Sequence, residues 1–476
     1  MKKQIVIIEP HGVAGNVFAN YMRLPLLGPI YLGTILKQAG HDVKILNENI
    51  LGRQVTMSEI DADVCCVSAI TPTVERGYEI LRQYKAIRPQ GMSLIGGAHA
   101  SSIPEEASTF ADYVVQGEGE QVVLDLINYG ADSKIISGPR VSDLDTLPVP
   151  DFSLLAGADR MRVIPVMTSR GCPYNCNFCS VTQMFGNHYR THSVDRVIEE
   201  IQKYRGQRLF IYDDNFTASP SRVRKILERI LSENIKLQWS AQVRADSARY
   251  PELVEMMSRA GCRYVYVGFE SISNETLNSM NKHQTKEDII RAIEVFHRFN
   301  IQVHGMFILG SDEDALDIAE DTVRFCRSHR IDSVQFMILT PFPGTPLFRK
   351  MEAERRILHK RWAYYDGMHT VFQPKKQTPA ELQATMMQAF NDFYSLGGAL
   401  IDGLNAVADG FFRAPSVLGG KIKNLSFLRS VTKLSARRIM RQWLNANSDY
   451  LAWISRISIR NTSFSQNAKI ESLLLE

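Results

Sequence analysis

The sequence is organised around three cysteines at Cys-x3-Cys-x2-Cys spacing, Cys172, Cys176 and Cys179. They come just after the apolar run 163–167, so we expect a strand to hold the loop that carries them. Three thiolates are too few for a structural zinc site, which takes four ligands. They can hold three corners of a four-iron, four-sulfur cluster and leave the fourth iron open. A zinc knuckle with a distant fourth ligand and three unrelated thiols are the alternatives.

The three cysteines, with Tyr174 and Phe178 beside them, resemble the signature of radical S-adenosylmethionine (SAM) enzymes. The resemblance implies that the open iron binds the amino acid end of SAM. It also implies a core of six βα units. Short cysteine motifs occur by chance, so the strand before the loop is an important part of this interpretation.

Length and composition exclude several other classes of protein. A chain of 476 residues has room for two domains and an appendage, and a net charge of +4 is too small to indicate nucleic acid as the main partner. The remaining cysteines lie in apolar patterns and do not suggest a disulfide framework, which predicts a reducing, cytoplasmic location. No run of 18 or more apolar residues is present, so we expect no transmembrane helix.

Residues 1–140 alternate short apolar strands with helical patterns, which predicts an α/β, doubly wound, Rossmann-like domain. Ligands of such sheets bind outside the carboxyl ends of the strands. Small side chains, hydroxyls and free backbone amides collect at these ends, and no G-x-G-x-x-G follows the first strand, which disfavours a dinucleotide. The candidate ligand-binding residues are Ser68, Thr71, Gly96, Gly97, His99, Gly117 and Glu118.

The segments Pro25-Leu26-Leu27-Gly28, Gly96-Gly97-x-His99 and Gly117-Glu118-Gly119-Glu120 resemble the cobalamin-binding domain of one large radical SAM class. The resemblance implies that the candidate residues of this domain bind cobalamin. The lower-axial motif Asp-x-His-x-x-Gly is absent, and its nearest match contains His11. The cobalt is therefore expected to lack a histidine ligand. Read without the resemblance, the glycines are ordinary turn residues.

Two prolines make residues 141–160 an extended linker, and residues 161–355 then repeat strand and helix six times. This rhythm predicts a parallel sheet curled into a partial (βα)6 barrel, whose chemistry collects at the carboxyl ends of its strands. By that registration, side chains at the ends of the second, third and fourth strands are expected to bind SAM: Asp213, Asp214, Asn215, Arg244 and Glu270. The alternative is that the aspartates cap a helix or turn and that the other two charges form surface ion pairs.

Residues 356–476 lose the βα rhythm and are expected to be mainly helical, with aromatic residues that cover the barrel mouth or pack beneath it. Ten basic residues and one acidic residue lie between 411 and 460. Such a basic amphipathic segment either contacts an anionic membrane surface peripherally or docks on the protein core.

The function predicted from these features is that of a radical SAM enzyme with a four-iron cluster, SAM and cobalamin. It would generate a 5'-deoxyadenosyl radical and methylate an unactivated carbon of a small molecule or lipid. One alternative is a cyclase or oxidase that acts on a lipid or tetrapyrrole, with a corrin-free front domain. Another is a non-catalytic iron–sulfur redox protein. Both enzyme hypotheses require an electron donor such as flavodoxin or ferredoxin.

Overall fold

Two six-stranded parallel sheets form the framework of the protein. The structure, a computed structural model, describes residues 2–12, 23–395 and 425–463, and it describes the side chains of the last segment only between 436 and 457. The α/β class and the order of the regions are as predicted: a doubly wound domain, a partial barrel and a helical region.

The first sheet has the strand order β2-β1-β3-β4-β5-β6. The order reverses between β1 and β3, which creates a crevice at the carboxyl ends of the strands. Its strands are β1 (Gln4–Glu9), β2 (Asp42–Asn47), β3 (Val64–Ser68), β4 (Met92–Gly96), β5 (Tyr113–Gly117) and β6 (Ile135–Gly138). Its helices are α1 (Leu27–Gln38), α2 (Glu48–Leu51), α3 (Val74–Ile87), α4 (Ala98–Ser102), α5 (Pro104–Ala107) and α6 (Val123–Tyr129).

The second sheet has the order β14-β13-β12-β11-β10-β7 and leaves β7 and β14 as edges, so the barrel is partial. The strands from this part of the chain are β7 (Ile164–Val166), β8 (Ser169–Arg170), β9 (Arg190–Thr191), β10 (Arg208–Ile211), β11 (Gln238–Val243), β12 (Cys262–Glu270), β13 (Gln302–Leu309) and β14 (Ser333–Ile338). The helices are α7 (Ser180–Phe185), α8 (Val194–Lys203), α9 (Pro220–Ser232), α10 (Pro251–Arg259), α11 (Asn274–Ser279), α12 (Lys286–Arg298), α13 (Ile318–Ser328) and α14 (Pro346–Ala353).

The two faces of the barrel sheet differ in burial. Outward-facing residues such as Val265 and Phe336 are fully buried in one continuous apolar core beneath the helices. The alternate residues that face the lumen, such as Tyr266 and Gln335, are only half-buried. Because successive side chains of a strand point to opposite faces, this alternation shows that the outward face is the more deeply buried face of the sheet.

The segment 141–160, predicted as an extended linker, is instead packed against the first domain through three short 3-10 turns. The backbone N–H of Ala156 donates to the carbonyl of Ile45 at 2.9 Å, which adds a contact to the edge of β2. Lys37 pairs with Asp151 at 2.8 Å. The prolines of segment 141–160 rule out a central strand, but they do not prevent an irregular segment from docking on a sheet edge.

The C-terminal region is helical, as predicted, with α15 (Pro379–Phe393), α16 (Leu425–Ala446) and α17 (Ser448–Ser463). Trp443 is 1% exposed, and its ring centroid lies 5.8 Å from that of Phe390 in the core. The basic residues Arg413, Lys421 and Lys423 lie outside the described residues. Among the helices of the described segments, none is both long and apolar enough to cross a membrane.

A buried group of four charged side chains joins the two sheets. Glu118 and Glu120 follow β5, and Arg170 and Arg190 belong to the two-stranded ribbon of β8 and β9. Arg170 pairs with Glu120 at 2.6 Å and with Glu118 at 3.3 Å, while Arg190 binds Glu118 through both of its terminal nitrogens. The backbone N–H of Val141 also donates to Glu118, at 2.8 Å. We call these four side chains the interface charge cluster.

Replacing Arg190 by Met should lower the free energy of unfolding by about 3 kcal/mol, because Glu118 loses its two-nitrogen partner while it stays buried. Urea unfolding followed by circular dichroism would measure the change. The matched control is Arg229→Met, which breaks solvent-accessible pairs with Asp195 and Glu233 and should have a far smaller effect. Equal losses in the two variants would contradict a structural role for the interface charge cluster.

Candidate cofactor site

The cysteine loop lies at the carboxyl end of β7, between the barrel and the first domain. Cys176 is buried, Cys172 and Cys179 are half-buried, and α7 begins directly after Cys179. Burial raises the pKa of the Cys172 thiol and raises that of Cys179 to about 12. Bound metal would hold such thiols as thiolates.

Backbone and amide contacts fix the loop to the barrel. The side chain of Asn177 donates to the carbonyl of Ser279 at 2.7 Å, and the backbone carbonyl of Asn177 accepts from the N–H of Leu347 at 3.1 Å. Asn281 donates to Asn175 at 2.6 Å. The loop therefore has a defined conformation in the structure.

Gly171, just before the first cysteine, requires a conformation that only glycine adopts easily. Its φ is +82°, and a Cβ atom there would lie 2.4 Å from the carbonyl oxygen of His188. The chain can thus turn sharply from Arg170 into the cysteine loop.

The two aspartates after β10 have different environments. Asp213 is fully buried and accepts four hydrogen bonds of 2.6–3.0 Å from the backbone and hydroxyl groups of Thr168 and Ser169. Both of its oxygens accept two of these bonds, which favours the alternative that Asp213 caps a turn, and its contact with SAM stays a prediction. From the part of the chain that the structure describes, Asp214 accepts a hydrogen bond from the N–H of Gly171 alone, at 3.1 Å, and burial raises its pKa to about 6. Asn215 is buried beside them and accepts from Thr217 at 3.2 Å.

Arg244 stands beside the cysteine loop, as the strand registration predicts. Its guanidinium carbon lies 3.7 Å above the ring centroid of Tyr174. It donates to the carbonyl of Lys282 at 2.6 Å and to Asp246 at 3.3 Å, and the Tyr174 hydroxyl donates to the same carboxylate at 2.6 Å. Arg244 is therefore a positioning residue for the loop as well as a buried cation near its thiols.

Glu270 ends β12 and adopts a positive φ of 61°, which is uncommon outside glycine. Its carboxylate accepts from the ammonium of Lys282 at 2.6 Å, and both side chains are buried. Lys282 is a residue that the sequence analysis missed. It lies in a loop after α11, and no motif marks it there.

The three thiolates fit a four-iron cluster, in which each thiolate binds its own iron and the fourth iron stays open. A structural zinc site takes four ligands. Within residues 2–12, 23–395 and 425–463, no three His, Cys, Asp or Glu side chains approach closely enough to share one metal ion.

A cavity of about 450 Å³ lies between the crevice of the first sheet and the cysteine loop. The first domain supplies the strand-end residues to its wall, and the barrel side supplies Arg170, α7, Tyr212 and Asp214. At Gly28, at the start of α1, no atom of the described residues outside its own helix backbone and chain neighbours lies within 4 Å of the position of a Cβ, so a bulky ligand can approach the backbone closely there. The lining is mostly apolar, which suits a large ring system.

The structure places the predicted cobalamin residues in two groups. Ser68, Gly96, Gly97, Gly117 and Glu118 line the cavity, although the carboxylate of Glu118 is engaged in the interface charge cluster. Thr71 and His99 do not line it. The His99 ring is fully buried, lies 5.0 Å from that of Trp362 and contacts Glu106 at 3.4 Å. The backbone of His11 donates to Glu48 at 3.2 Å.

Comparison with known proteins agrees with this geometry. The Radical SAM superfamily model matches residues 166–326, and the B12 binding domain model matches residues 21–127. An uncharacterised methyltransferase of Pyrococcus horikoshii is 31% identical over 78% of this chain and 88% of its own length. Bacteriochlorophyllide d C-12(1)-methyltransferase of Chlorobaculum tepidum is 29% identical over 76% of this chain and 80% of its own length.

A solved structure shows the same fold. The cobalamin-dependent SAM radical enzyme OxsB, with aqua-cobalamin and SAM bound, aligns with a TM-score of 0.66 at 15% identity, over 98% of this chain and 82% of OxsB. The two matched domain models and the relative at 31% identity agree with the cavity that faces the cysteine loop. This chain therefore belongs to the radical SAM superfamily, among the members with a B12-binding domain, and its cofactors are a four-iron cluster, SAM and cobalamin.

Proposed function

We propose that this protein is a methyltransferase that places a methyl group on an unactivated carbon of a small molecule or lipid. The observation that carries the proposal is the shared wall of the cavity, which brings the strand ends of the B12-binding domain against α7 and Asp214, next to the cysteine loop. The names of the two relatives support the same reaction type.

Cys172, Cys176 and Cys179 would hold the cluster. Asp214 and Arg244 have the charges that match the ammonium and carboxylate of SAM, and the glycine-rich strand ends leave room for the corrin. When bound, these groups supply the electron, the hydrogen-abstracting radical and the methyl group. The protein's own residues orient the bound groups and exclude water from the space between them.

The tasks of the side chains follow from their contacts. Asp213 holds the turn before the cysteine loop, and Arg244 holds the Tyr174 ring. Lys282 and Glu270 neutralise each other in the buried wall beside Cys179. Asp214 keeps an oxygen that can accept from a ligand in the cavity.

The electron donor stays a prediction: a one-electron carrier such as flavodoxin or ferredoxin would reduce the cluster. We do not propose peripheral membrane contact through residues 411–460. The Trp443 ring that the sequence pattern assigned to the apolar face is buried against the protein core, which favours docking for the described part of that segment.

The reaction itself is tested by anaerobic incubation with SAM, cobalamin and a reductant. Cell extracts with and without the protein would be compared by mass spectrometry. A methyltransferase adds one methylene unit to the mass of its substrate, because a methyl group replaces a hydrogen. A loss of hydrogens with no gain of carbon would instead indicate a cyclase or oxidase.

Replacing Cys176 by Ala should abolish cleavage of SAM to 5'-deoxyadenosine, because the cluster loses one of its three protein ligands. Iron content, 5'-deoxyadenosine by chromatography and the far-UV circular dichroism spectrum would be measured together. Cys262→Ala is the control, since Cys262 is buried at the start of β12, outside the cysteine loop. Full SAM cleavage by the Cys176 variant would refute the cluster assignment.

Replacing Arg244 by Lys should reduce kcat/KM for SAM cleavage by about 10- to 100-fold. The lysine keeps the positive charge of Arg244. It loses the stacking of a planar group on Tyr174 and the ability to donate hydrogen bonds in two directions at once. Arg249→Lys is the matched control in the same segment, where an exposed side chain contacts Asp288 at 3.5 Å. A reduction of less than twofold for Arg244→Lys would argue against its role.

Replacing Gly28 by Ile should prevent the protein from retaining cobalamin, because the new side chain would enter the cavity. The visible absorbance of the protein after incubation with hydroxocobalamin and gel filtration measures retention. Gln38→Ile, on an exposed part of the same helix, should retain the corrin like the parent. Corrin retained by the Gly28 variant would place its site elsewhere.

A further inference from the structure

The connections that precede strands β10 to β13 lie at the end of the barrel opposite the cysteine loop. With their flanking residues they occupy 203–208, 233–238, 259–263 and 298–302, all of which the structure describes. Seven of these residues are Lys or Arg, and Glu233 is the one acidic residue among them. Lys203 pairs with Glu199 at 3.3 Å. We call the other six, all exposed, the basic rim: Arg205, Arg208, Lys236, Arg259, Arg263 and Arg298.

Hydrogen bonds to backbone carbonyls join these connections into one surface. The donors and the residues whose carbonyls accept are Arg205 and Asn234 at 2.9 Å, Trp239 and Gly261 at 3.1 Å, and Ser258 and Phe299 at 2.7 Å. Neighbouring strands of a sheet lie about 5 Å apart, so the four strand starts span about 15 Å. The six charges therefore form a continuous row along one edge of the barrel.

The helix ends account for only part of this charge. Arg259 and Arg298 are the last residues of α10 and α12, where a cation balances the partial negative charge of the helix C-terminus. That effect does not extend past the last turn, and the other four members of the basic rim lie beyond the helix ends. The exposed Glu255 and Glu294 lie one turn earlier in α10 and α12, and with both included the balance of charge stays positive.

The composition of the basic rim distinguishes between classes of partner. Tyr204 and Phe299 are half-buried, and none of the strongly exposed large apolar side chains in the described part of the chain belongs to these connections. Protein interfaces centre on apolar and aromatic anchors, and single-stranded nucleic acids stack on exposed rings. A membrane surface with anionic lipids needs neither, because it attracts clustered Lys and Arg side chains electrostatically.

The basic rim is also distant from the cofactor site. Strands β11 and β12 contain six and nine residues, so about 20–30 Å of strand separates their starts from the carboxyl ends beside the cysteine loop. A redox protein bound to the basic rim would lie at the opposite end of the barrel from the cluster. Delivery of electrons therefore does not explain this surface.

We propose that the basic rim binds the surface of a membrane that contains anionic lipids. Each Lys or Arg close to such a surface strengthens binding about fivefold, so six acting together are enough for stable peripheral attachment. In this orientation the carboxyl ends of the strands point towards the aqueous side, where a soluble electron donor can reach the cysteine loop. The basic rim is separate from residues 411–460, and its binding to lipid does not depend on the proposed methyl transfer.

Co-sedimentation of the anaerobically purified full-length protein with lipid vesicles tests the proposal. One preparation contains phosphatidylcholine alone, and the other also contains phosphatidylglycerol as about one third of its lipid. We expect binding to the anionic vesicles and at least about 10-fold weaker binding to the neutral ones. Raising the salt from about 0.1 M to about 0.5 M should weaken binding to the anionic vesicles about 10-fold or more, because salt screens exposed charges.

Three variants locate the contact. Replacing Arg208, Lys236 and Arg263 together by Gln should weaken binding about 100-fold. The same replacement of Arg205, Arg259 and Arg298 repeats the test in case the first variant does not fold, which circular dichroism would show. The control removes three exposed charges elsewhere, Arg249→Gln, Arg349→Gln and Lys350→Gln, and should change binding less than about threefold.

Binding that does not distinguish anionic from neutral vesicles, or no binding by the intact chain, would overturn the proposal. Unchanged binding in both rim variants would also overturn it, because the contact would then belong to other residues. Duplex DNA serves as a competitor, and displacement of the protein from the vesicles at equal phosphate concentration would assign the basic rim to nucleic acid instead. SAM cleavage is measured in the same preparations, so its absence with intact vesicle binding would refute only the proposed function.

Discussion

The buried ion pairs of Arg170 are the contacts on which the rest of the site depends. This residue holds Glu118 and Glu120 of the B12-binding domain, and the next two residues are the glycine turn and the first cysteine of the loop. In a buried, weakly polar environment, charges that are separated from their partners are strongly unfavourable. The distance between the corrin crevice and the cysteine loop is thereby set by charge pairing as well as by apolar packing.

Neighbouring residues have different roles in this arrangement. Asp213 uses its oxygens to stabilise the strand end that leads into the loop, while Asp214 faces the cavity. A similar division separates Arg244, which stacks on a ring of the loop, from Lys282, whose charge is balanced by Glu270. Structural polar groups thus surround Asp214, which lines the cavity.

Much of the fold could be predicted from the sequence, because buried parallel strands are short apolar runs separated by helical patterns. The strand β6 is not predictable in this way, since Ile135–Gly138 contains no fully buried residue and lacks a strong apolar signal. The packed course of residues 141–160 was missed as well, because its contacts are made by an irregular backbone on a sheet edge.

The site was predictable only where a motif or a strand end marks it. The three cysteines, Asp214 and Arg244 lie beside one another as the registration implied. The sequence could not separate the role of Asp213 from that of Asp214, because their difference arises from the direction of each side chain. The pairing of Glu118 with Arg190 spans 72 positions and carries no local pattern.

The interface charge cluster also limits how this architecture can be recombined. A chimera that joined this barrel to an unrelated front domain would leave two guanidinium groups buried without charged partners at the domain interface. A replacement front domain would avoid that penalty only if it carried acidic side chains just beyond its fifth strand. We therefore expect the front domain and the barrel to be inherited together.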